Sequence, residues 1–210
     1  FKKRLLEEVF AFLSKYKEIE QIIFFGSFLT ENTHYRDIDI LGIVKQESPE
    51  LEKKVTDALE KEFNLKFHFI TVTKEESERS LPYDPLGRSM LYRCVSNKSL
   101  PELKERKISK NNLLFLLMMP EDLVGLDVIL KGRIYYDSLR KLFIIKMFLK
   151  KQEEDVVEAK KDIEKVLGAS LAEKTARDEP ISPEEWKILK KTMAQEIKEI
   201  KEIMRNAKNE

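Results

Sequence analysis

The sequence is short of the residues that build disulfide frameworks and zinc sites. Among its 210 residues it has one cysteine, Cys94, and two histidines, His34 and His68. A single cysteine excludes an internal disulfide and a cysteine-rich zinc site, and two histidines are too few for the usual His/Cys metal clusters. We therefore expect neither a disulfide-stapled fold nor a structural zinc centre.

Long apolar runs and an excess of one charge are also missing. No apolar run approaches the ~20 residues that a membrane-spanning helix needs, so we expect no membrane partner and a cytoplasmic location. Lys and Arg number 39 against 38 Asp and Glu, which gives a formal net charge of +1. This balance argues against a protein that coats nucleic acid by bulk electrostatics. The 42% hydrophobic content still allows one large domain or two small ones.

The chain is organised around an apolar strand that is followed by a tight turn. Residues 21–25 are mostly apolar and aromatic, as expected of a buried strand. Gly26 follows directly, where a backbone without a Cβ can turn sharply and approach a ligand. Ser27 adds a hydroxyl and can open a short helix, whose first amides attract anionic oxygens such as those of phosphate. The pattern therefore predicts a phosphate-binding turn.

A second strand, predicted over residues 37–44, carries two carboxylates. Residues i and i+2 of a strand project to the same face, so Asp37 and Asp39 lie side by side while Ile38 and Ile40 face the core. Two such carboxylates repel each other unless a proton or a cation lies between them. Mg²⁺ (or Mn²⁺) suits the pair, because Mg²⁺ often uses one or two carboxylates together with substrate phosphates. The alternative is a solvated pair without a metal.

These residues resemble the signature of the DNA polymerase beta-type nucleotidyltransferase superfamily. Gly26-Ser27, nine intervening residues and then Asp37-Ile38-Asp39-Ile40 fit that signature, and small prokaryotic minimal nucleotidyltransferases are the nearest type. The resemblance implies that Gly26 and Ser27 hold the triphosphate of an NTP. It also implies that Asp37 and Asp39 are the catalytic, metal-binding residues. A motif gains weight when its structural context is present, and the order of elements here agrees with the family.

The third strand, predicted over residues 65–73, departs from the family pattern. Family members commonly carry a third carboxylate there, and the matching position here is His68. Neutral imidazole does not replace the charge of a carboxylate at a Mg²⁺ site. We therefore interpret His68 as a polar residue facing the site, or as a structural residue, in preference to a ligand. Asp84 or Asp127 is an alternative source of a third acid.

A second departure follows the glycine. Many family members have Arg-Gly in the short helix after Gly-Ser, whereas this chain has Phe28-Leu29-Thr30-Glu31. A Ser often precedes the two aspartates, whereas this chain has Arg36. The Arg36 guanidinium either reaches a phosphate bidentately, as arginine side chains often do, or belongs to a solvated loop.

The order of elements predicts an α+β fold, with a mixed β-sheet flanked by helices and a C-terminal helical region. A short strand at residues 133–137, after two helices separated at Pro120, resembles the closing element of the family's catalytic domain. We therefore predict a catalytic domain at 1–137, with a possible insertion at 74–111, and a helical domain at 138–210. Met118 and Met119 are predicted to be core residues. Residues 101–110 are predicted to be a solvated helix, or else an acceptor or nucleic-acid surface.

Two helix starts have strong local signals. Ser48 followed by Pro49 fits an N-cap and a first helical residue. Ser182, Pro183 and Glu185 fit the same arrangement with an added capping box, in which the serine and the glutamate satisfy each other's amides. Residues 169–180, between the last two predicted helices, are interpreted as a linker.

Three functions fit these observations. In the first, the protein is a metal-dependent nucleotidyltransferase that moves an NMP from an NTP to the hydroxyl of a protein side chain, an RNA end or a small molecule. In the second, it is a nucleotide-binding or interaction module that has kept the fold without catalysis. In the third, by analogy with small prokaryotic nucleotidyltransferases, it is the antitoxin of a toxin–antitoxin pair. A helical partner protein would favour the third function, and a second copy of the chain is a further candidate partner. Fold alone does not decide among the three.

Overall fold

The computed structural model describes residues 1–30, 35–103, 105–106 and 108–206. It divides into two compact units, Phe1–Glu105 and Arg106–Glu210. The domains expected at 1–137 and 138–210 stay a prediction. Their boundary residue, Asp137, lies within a helix of the second unit.

The first unit is built on a four-stranded mixed sheet, as the sequence predicts. The strands are β1 (Ile19–Phe25), β2 (Ile38–Val44), β3 (Phe67–Thr73) and β4 (Val95–Ser96). Their order in the sheet is β3-β2-β1-β4. Neighbouring strands β1 and β2 are antiparallel, as are β1 and β4, whereas β2 and β3 are parallel. The possible insertion at 74–111 therefore contributes a strand to this sheet.

Four α-helices and one 3-10 turn complete the described part of the first unit. The turn spans Ser27–Leu29, directly after Gly26. The second helix begins as predicted, because the Ser48 side chain accepts a hydrogen bond from the Leu51 amide at 3.2 Å. The helices are α1 (Lys2–Leu13), α2 (Pro49–Phe63), α3 (Lys74–Arg79) and α4 (Pro85–Tyr92).

The two faces of the sheet bury different residues. One face packs on α1 and α2 and contains Ile38 and Ile40. The opposite face contains Leu41 and Ile43, which pack against two buried leucines, residues 81 and 91. Side chains alternate along a strand, so Asp39 belongs to the second face, next to Leu41. The first face is thus a closed core, and the second face carries the polar side chains at one end of β2.

The second unit is helical throughout its described elements. Its long central helix α6 (Gly132–Leu149) packs against each of the other four described helices, and its inward side is buried from Tyr135 to Phe148. In the described part of the chain no helix is long and apolar enough to cross a membrane. The helices are α5 (Lys110–Gly125), α6 (Gly132–Leu149), α7 (Val156–Leu167), α8 (Ala169–Ala176) and α9 (Pro183–Asn206).

The strand predicted at residues 133–137 is wrong, because these residues form the start of α6. Ile134, Tyr135 and Tyr136 have the side chains that strands favour. Tyr135 is nevertheless fully buried, one helical turn before the equally buried Leu139. Burial along a continuous helical stripe has overridden the local preference. Gly132 is accordingly the first residue of a helix, and it does not end the preceding one.

Four further predictions for the rest of the chain are wrong. Pro120 lies inside the single helix α5, with its side chain buried, and does not separate two helices. Met118 and Met119 are exposed at 54% and 42% and are not core residues. Residues 169–176 form α8, where a linker was predicted. The predicted helix at 101–110 does not form in its described residues before Lys110.

Candidate functional site

Asp39 lies in the middle of the candidate site because its strand lies between two others. Its register partner on β1 is Phe25, the residue before Gly26, and its register partner on β3 is His68. The glycine turn and His68 therefore flank Asp39 on either side. The Asp39 side chain is 21% exposed, so its carboxylate is accessible but not fully solvated.

Gly26 faces the Asp39 carboxylate directly. A Cβ placed on Gly26 would overlap the Oδ2 atom of Asp39 and would lie 3.2 Å from its Cγ. Gly26 also has a φ of +81° and a ψ of −162°, a conformation that is essentially restricted to glycine. Both the conformation and the close approach require glycine here, so the turn and the carboxylate form one compact pair.

His68 is hydrogen-bonded to the same carboxylate. Its Nδ1 lies 3.2 Å from the Oδ1 of Asp39, and because a carboxylate only accepts, Nδ1 is the donor. This bond is the main cause that raises the pKa of His68, with the charges of Asp39, Asp37 and Glu52 adding to it, whereas burial acts in the opposite direction. The expectation that His68 faces the site agrees with this geometry, and its functional role stays a prediction.

The remaining predicted site residues lie around this centre. Asp37 is half-buried and directly precedes β2, close enough for its charge to act on His68. The Ser27 residue opens the 3-10 turn and is exposed. Arg36 is exposed beside Asp37, with no structural feature that selects between a phosphate contact and a solvated loop. Glu31, part of the second departure from the family pattern, lies outside the described residues.

The structure places one further cation beside the turn, and no sequence pattern identified it. Lys2, in the first turn of α1, donates from Nζ to the Thr30 carbonyl at 2.8 Å. The same ammonium lies 5.3 Å from the centre of the Phe28 ring and 5.4 Å from that of Tyr35. These contacts attach the start of α1 to the segment after Gly26. No local signal relates Lys2 to that turn, because the contact spans 28 positions in the sequence.

Asp84, one suggested source of a third acid, is engaged in capping a helix, and Asp127, the other, belongs to the second unit. The Asp84 carboxylate accepts hydrogen bonds from the amides of Leu86 and Gly87, both at 2.9 Å, and so caps α4. Asp84 followed by Pro85 is the same signal as Ser48 followed by Pro49, so the sequence could have identified this cap. Asp127 is an exposed residue of the second unit.

The donor atoms of the site fit a hard divalent ion that arrives with phosphate. Asp37 and Asp39 supply carboxylate oxygens, and the absence of a Cβ on Gly26 lets the turn lie directly against the Asp39 carboxylate. Among the described residues, no group of three or more His, Cys, Asp or Glu could hold a metal ion. Mg²⁺ commonly binds through one or two carboxylates and completes its shell with water and substrate phosphates. The residues present therefore fit Mg²⁺ in company with a nucleotide.

Comparison with known proteins agrees with this geometry. Residues 7–83 match the family described as polymerase beta, nucleotidyltransferase. That segment contains the second half of α1, the sheet strands β1 to β3, the glycine turn and both aspartates. No curated protein and no solved structure matches the chain. Over residues 7–83 the chain is therefore similar to the DNA polymerase beta-type nucleotidyltransferase superfamily.

Proposed function

We propose that this protein is a divalent-metal-dependent nucleotidyltransferase that transfers an NMP from an NTP to an acceptor hydroxyl. The family supports nucleotidyl transfer in general. The observation that carries the finer proposal is the close approach of the Asp39 carboxylate to Gly26. It brings a candidate metal ligand against a turn that can accommodate phosphates, and both are needed for nucleotidyl transfer.

In this proposal Asp37 and Asp39 hold Mg²⁺ or Mn²⁺. When bound, such an ion neutralises charge on the triphosphate and favours the anionic form of the attacking oxygen. Gly26 and Ser27 orient the triphosphate through the turn, and Arg36 supplies a positive charge at the start of β2. The acceptor hydroxyl forms a bond to the α-phosphorus, the bond to the β-phosphate oxygen breaks, and pyrophosphate leaves. The hydroxyl proton passes to solvent.

The proposal is tested first through NTP binding and then through transfer of the NMP. Calorimetry with Mg²⁺ and non-hydrolysable analogues of each common NTP should detect binding to the parent protein and not to the Asp37→Asn/Asp39→Asn variant. Incorporation of label from α-phosphate-labelled NTPs into cell-extract proteins, RNA or small molecules then tests transfer. Asp57→Asn is the matched control, because Asp57 is exposed on α2, against the other face of the sheet. Equal label transfer by the parent and the double variant contradicts the proposal.

A second candidate function is favoured by one observation, the imidazole of His68 where the family commonly has a carboxylate. The protein would then bind NTPs without turning them over. Calorimetry combined with a pyrophosphate-release assay separates the two functions. Binding accompanied by steady pyrophosphate release excludes the non-catalytic module, and binding without any release in the presence of cell extract favours it.

A further inference from the structure

We infer, on the basis of the proposed function, that His68 is a positioning residue that holds the Asp39 carboxylate in the orientation in which it receives a divalent ion and its nucleotide. His68 then acts through Asp39, and it is neither a metal ligand nor a group that touches the reacting atoms. The inference gives a specific role to the imidazole at the position where the resemblance leads one to expect a third acid.

Contacts at both oxygens of Asp39 define its orientation. On one side, Oδ1 accepts from Nδ1 of His68 at 3.2 Å. On the other side, Oδ2 lies so close to the Gly26 backbone that a Cβ there would overlap it. A carboxylate with a hydrogen bond at one oxygen and a backbone at the other has little freedom to rotate about its side-chain torsions. Removing the imidazole would release only the His68 side.

The register of the sheet makes this contact rigid. Asp39 and His68 are paired in the parallel ladder of β2 and β3, and the pairing continues without interruption to Val44 and Thr73. Neighbouring side chains on one face of a sheet interact directly. Sites built on strands hold their geometry more closely than sites built on loops. The Asp39–His68 pair is therefore suited to fixing a ligand atom in place.

The chemistry of the ring assigns it this supporting role. Nδ1 is already occupied by its bond to Asp39, and that bond exists both for the cationic ring and for the neutral tautomer that carries hydrogen on Nδ1. The contact thus does not require a particular charge on His68. Partners that hydrogen-bond to metal-binding groups orient them, and replacing such a partner typically weakens metal affinity by about 10–100-fold.

Three His68 variants test the inference through binding, with no need for turnover. Calorimetry would measure the affinity for Mn²⁺ together with the non-hydrolysable NTP that the parent binds most tightly. His68→Ala should weaken this affinity by about 10–100-fold. His68→Asn should retain most of it, because the Asn amide nitrogen occupies the place of Nδ1 and can donate the same bond. His68→Leu keeps bulk without a donor and should behave like His68→Ala.

The outcomes separate this inference from the proposed function. Equal affinities of His68→Ala and the parent would overturn the positioning role, and so would equal weakening of His68→Ala and His68→Asn. If Asp37→Asn/Asp39→Asn binds as tightly as the parent, the proposed function itself fails. Thermal unfolding of every variant should match that of the parent and of the Asp57→Asn control, because His68 is exposed and makes little contribution to the core. A loss of affinity that only follows a loss of folding would contradict the inference.

Discussion

The Glu52 carboxylate binds Thr71 twice, accepting from its backbone amide at 2.7 Å and from its hydroxyl at 2.8 Å. Thr71 lies on β3, the strand at one end of the sheet order. The amides of Phe67 and Thr73 on the same strand also donate to glutamate side chains. Exposed strand edges are templates for pairing with other chains. Because these carboxylates accept hydrogen bonds from the strand amides, they make this edge less available for pairing with another chain.

Replacing Glu52 should destabilise the sheet. In Glu52→Ala the Thr71 amide and hydroxyl lose their acceptor in a residue that is only 7% exposed, which should lower the free energy of unfolding by about 1–3 kcal/mol. Glu52→Gln keeps an acceptor oxygen and should cost less. Urea unfolding measures both. Glu62→Ala, at an exposed position of the same helix, is the control, and equal losses at the two positions would contradict the assignment.

Gly26→Ala should damage the site without altering any predicted ligand. The new Cβ would overlap the Asp39 carboxylate, so Mg²⁺–NTP binding should be lost along with about 1–3 kcal/mol of stability from the strained backbone. The control is Gly125→Ala. A Cβ on Gly125 meets nothing within 4 Å, so this variant should bind nucleotide and unfold like the parent. Calorimetry and urea unfolding would show the difference, and normal nucleotide binding by Gly26→Ala would disprove the close approach.

The capping box of α9 should make unfolding depend on pH. Lys174 donates to Glu185 at 2.7 Å, and the Ser182 amide donates to the same carboxylate. These bonds, the one from Lys174 first, lower the pKa of Glu185 below its ordinary value of 4.5. A carboxylate with a lowered pKa in the folded state adds stability at neutral pH that is lost on acidification. The stability gap between the parent and Glu185→Gln should therefore narrow below about pH 4.5.

Unfolding in urea at a series of pH values measures this gap. The control Glu184→Gln removes a charge from the same helical turn, but no side-chain hydrogen bond ties Glu184 to Ser182. The difference in free energy of unfolding between this variant and the parent should therefore change less with pH. A gap for Glu185→Gln that stays constant from neutral to acidic pH would show that the carboxylate titrates alike in the folded and unfolded chains.

A buried ion pair stabilises the second unit in a different way. Lys146 of α6 bonds to Glu196 and Glu199 of α9, and the Lys146 and Glu196 side chains are only 15% and 5% exposed. Burial lowers the pKa of Lys146, but the bonds to these carboxylates outweigh it and raise the pKa above its ordinary value. Lys146→Ala would leave Glu196 buried without its partner and should cost about 3–5 kcal/mol.

Urea unfolding again provides the measurement. Lys146→Met/Glu196→Met should recover most of the loss, because apolar side chains of similar volume commonly replace a buried pair without penalty. Lys160→Ala, at an exposed lysine paired with Glu164 on α7, should cost at most about 0.5 kcal/mol. A double variant as unstable as Lys146→Ala would show that packing, and not the unpaired charge, causes the loss.

The sequence predicts this fold best where the signal is local. The N-cap of α2 at Ser48 and the capping box of Ser182 and Glu185 involve residues three positions apart, and both form as predicted. The strand–turn–strand unit is predicted equally well, because Gly26 and the alternation of polar and apolar residues around Asp39 are local signals within a few residues. The family match over residues 7–83 agrees with that reading.

The predictions that fail depend on contacts made far along the chain. Tyr135 is helical because it is buried where α6 packs against its neighbours. Its hydroxyl accepts a hydrogen bond at 2.9 Å from Trp186, which lies 51 positions away in the sequence. Pro120 remains within α5 because its helix buries it, although proline usually disrupts a helix interior. At the site, the sequence places His68 on the correct strand. Its bond to Asp39 depends on the register between β2 and β3, which no local pattern fixes.

The hydrogen bond between His68 and Asp39 provides the protein with its own spectroscopic reporter. With only two histidines in the sequence, an NMR spectrum of the imidazole protons contains just two ring systems, and replacing His34 leaves one. Any cation that reaches Asp39 must alter the electronic environment of the His68 ring. Occupancy of the site can therefore be followed in a titration without labelled substrate, an antibody or knowledge of the acceptor.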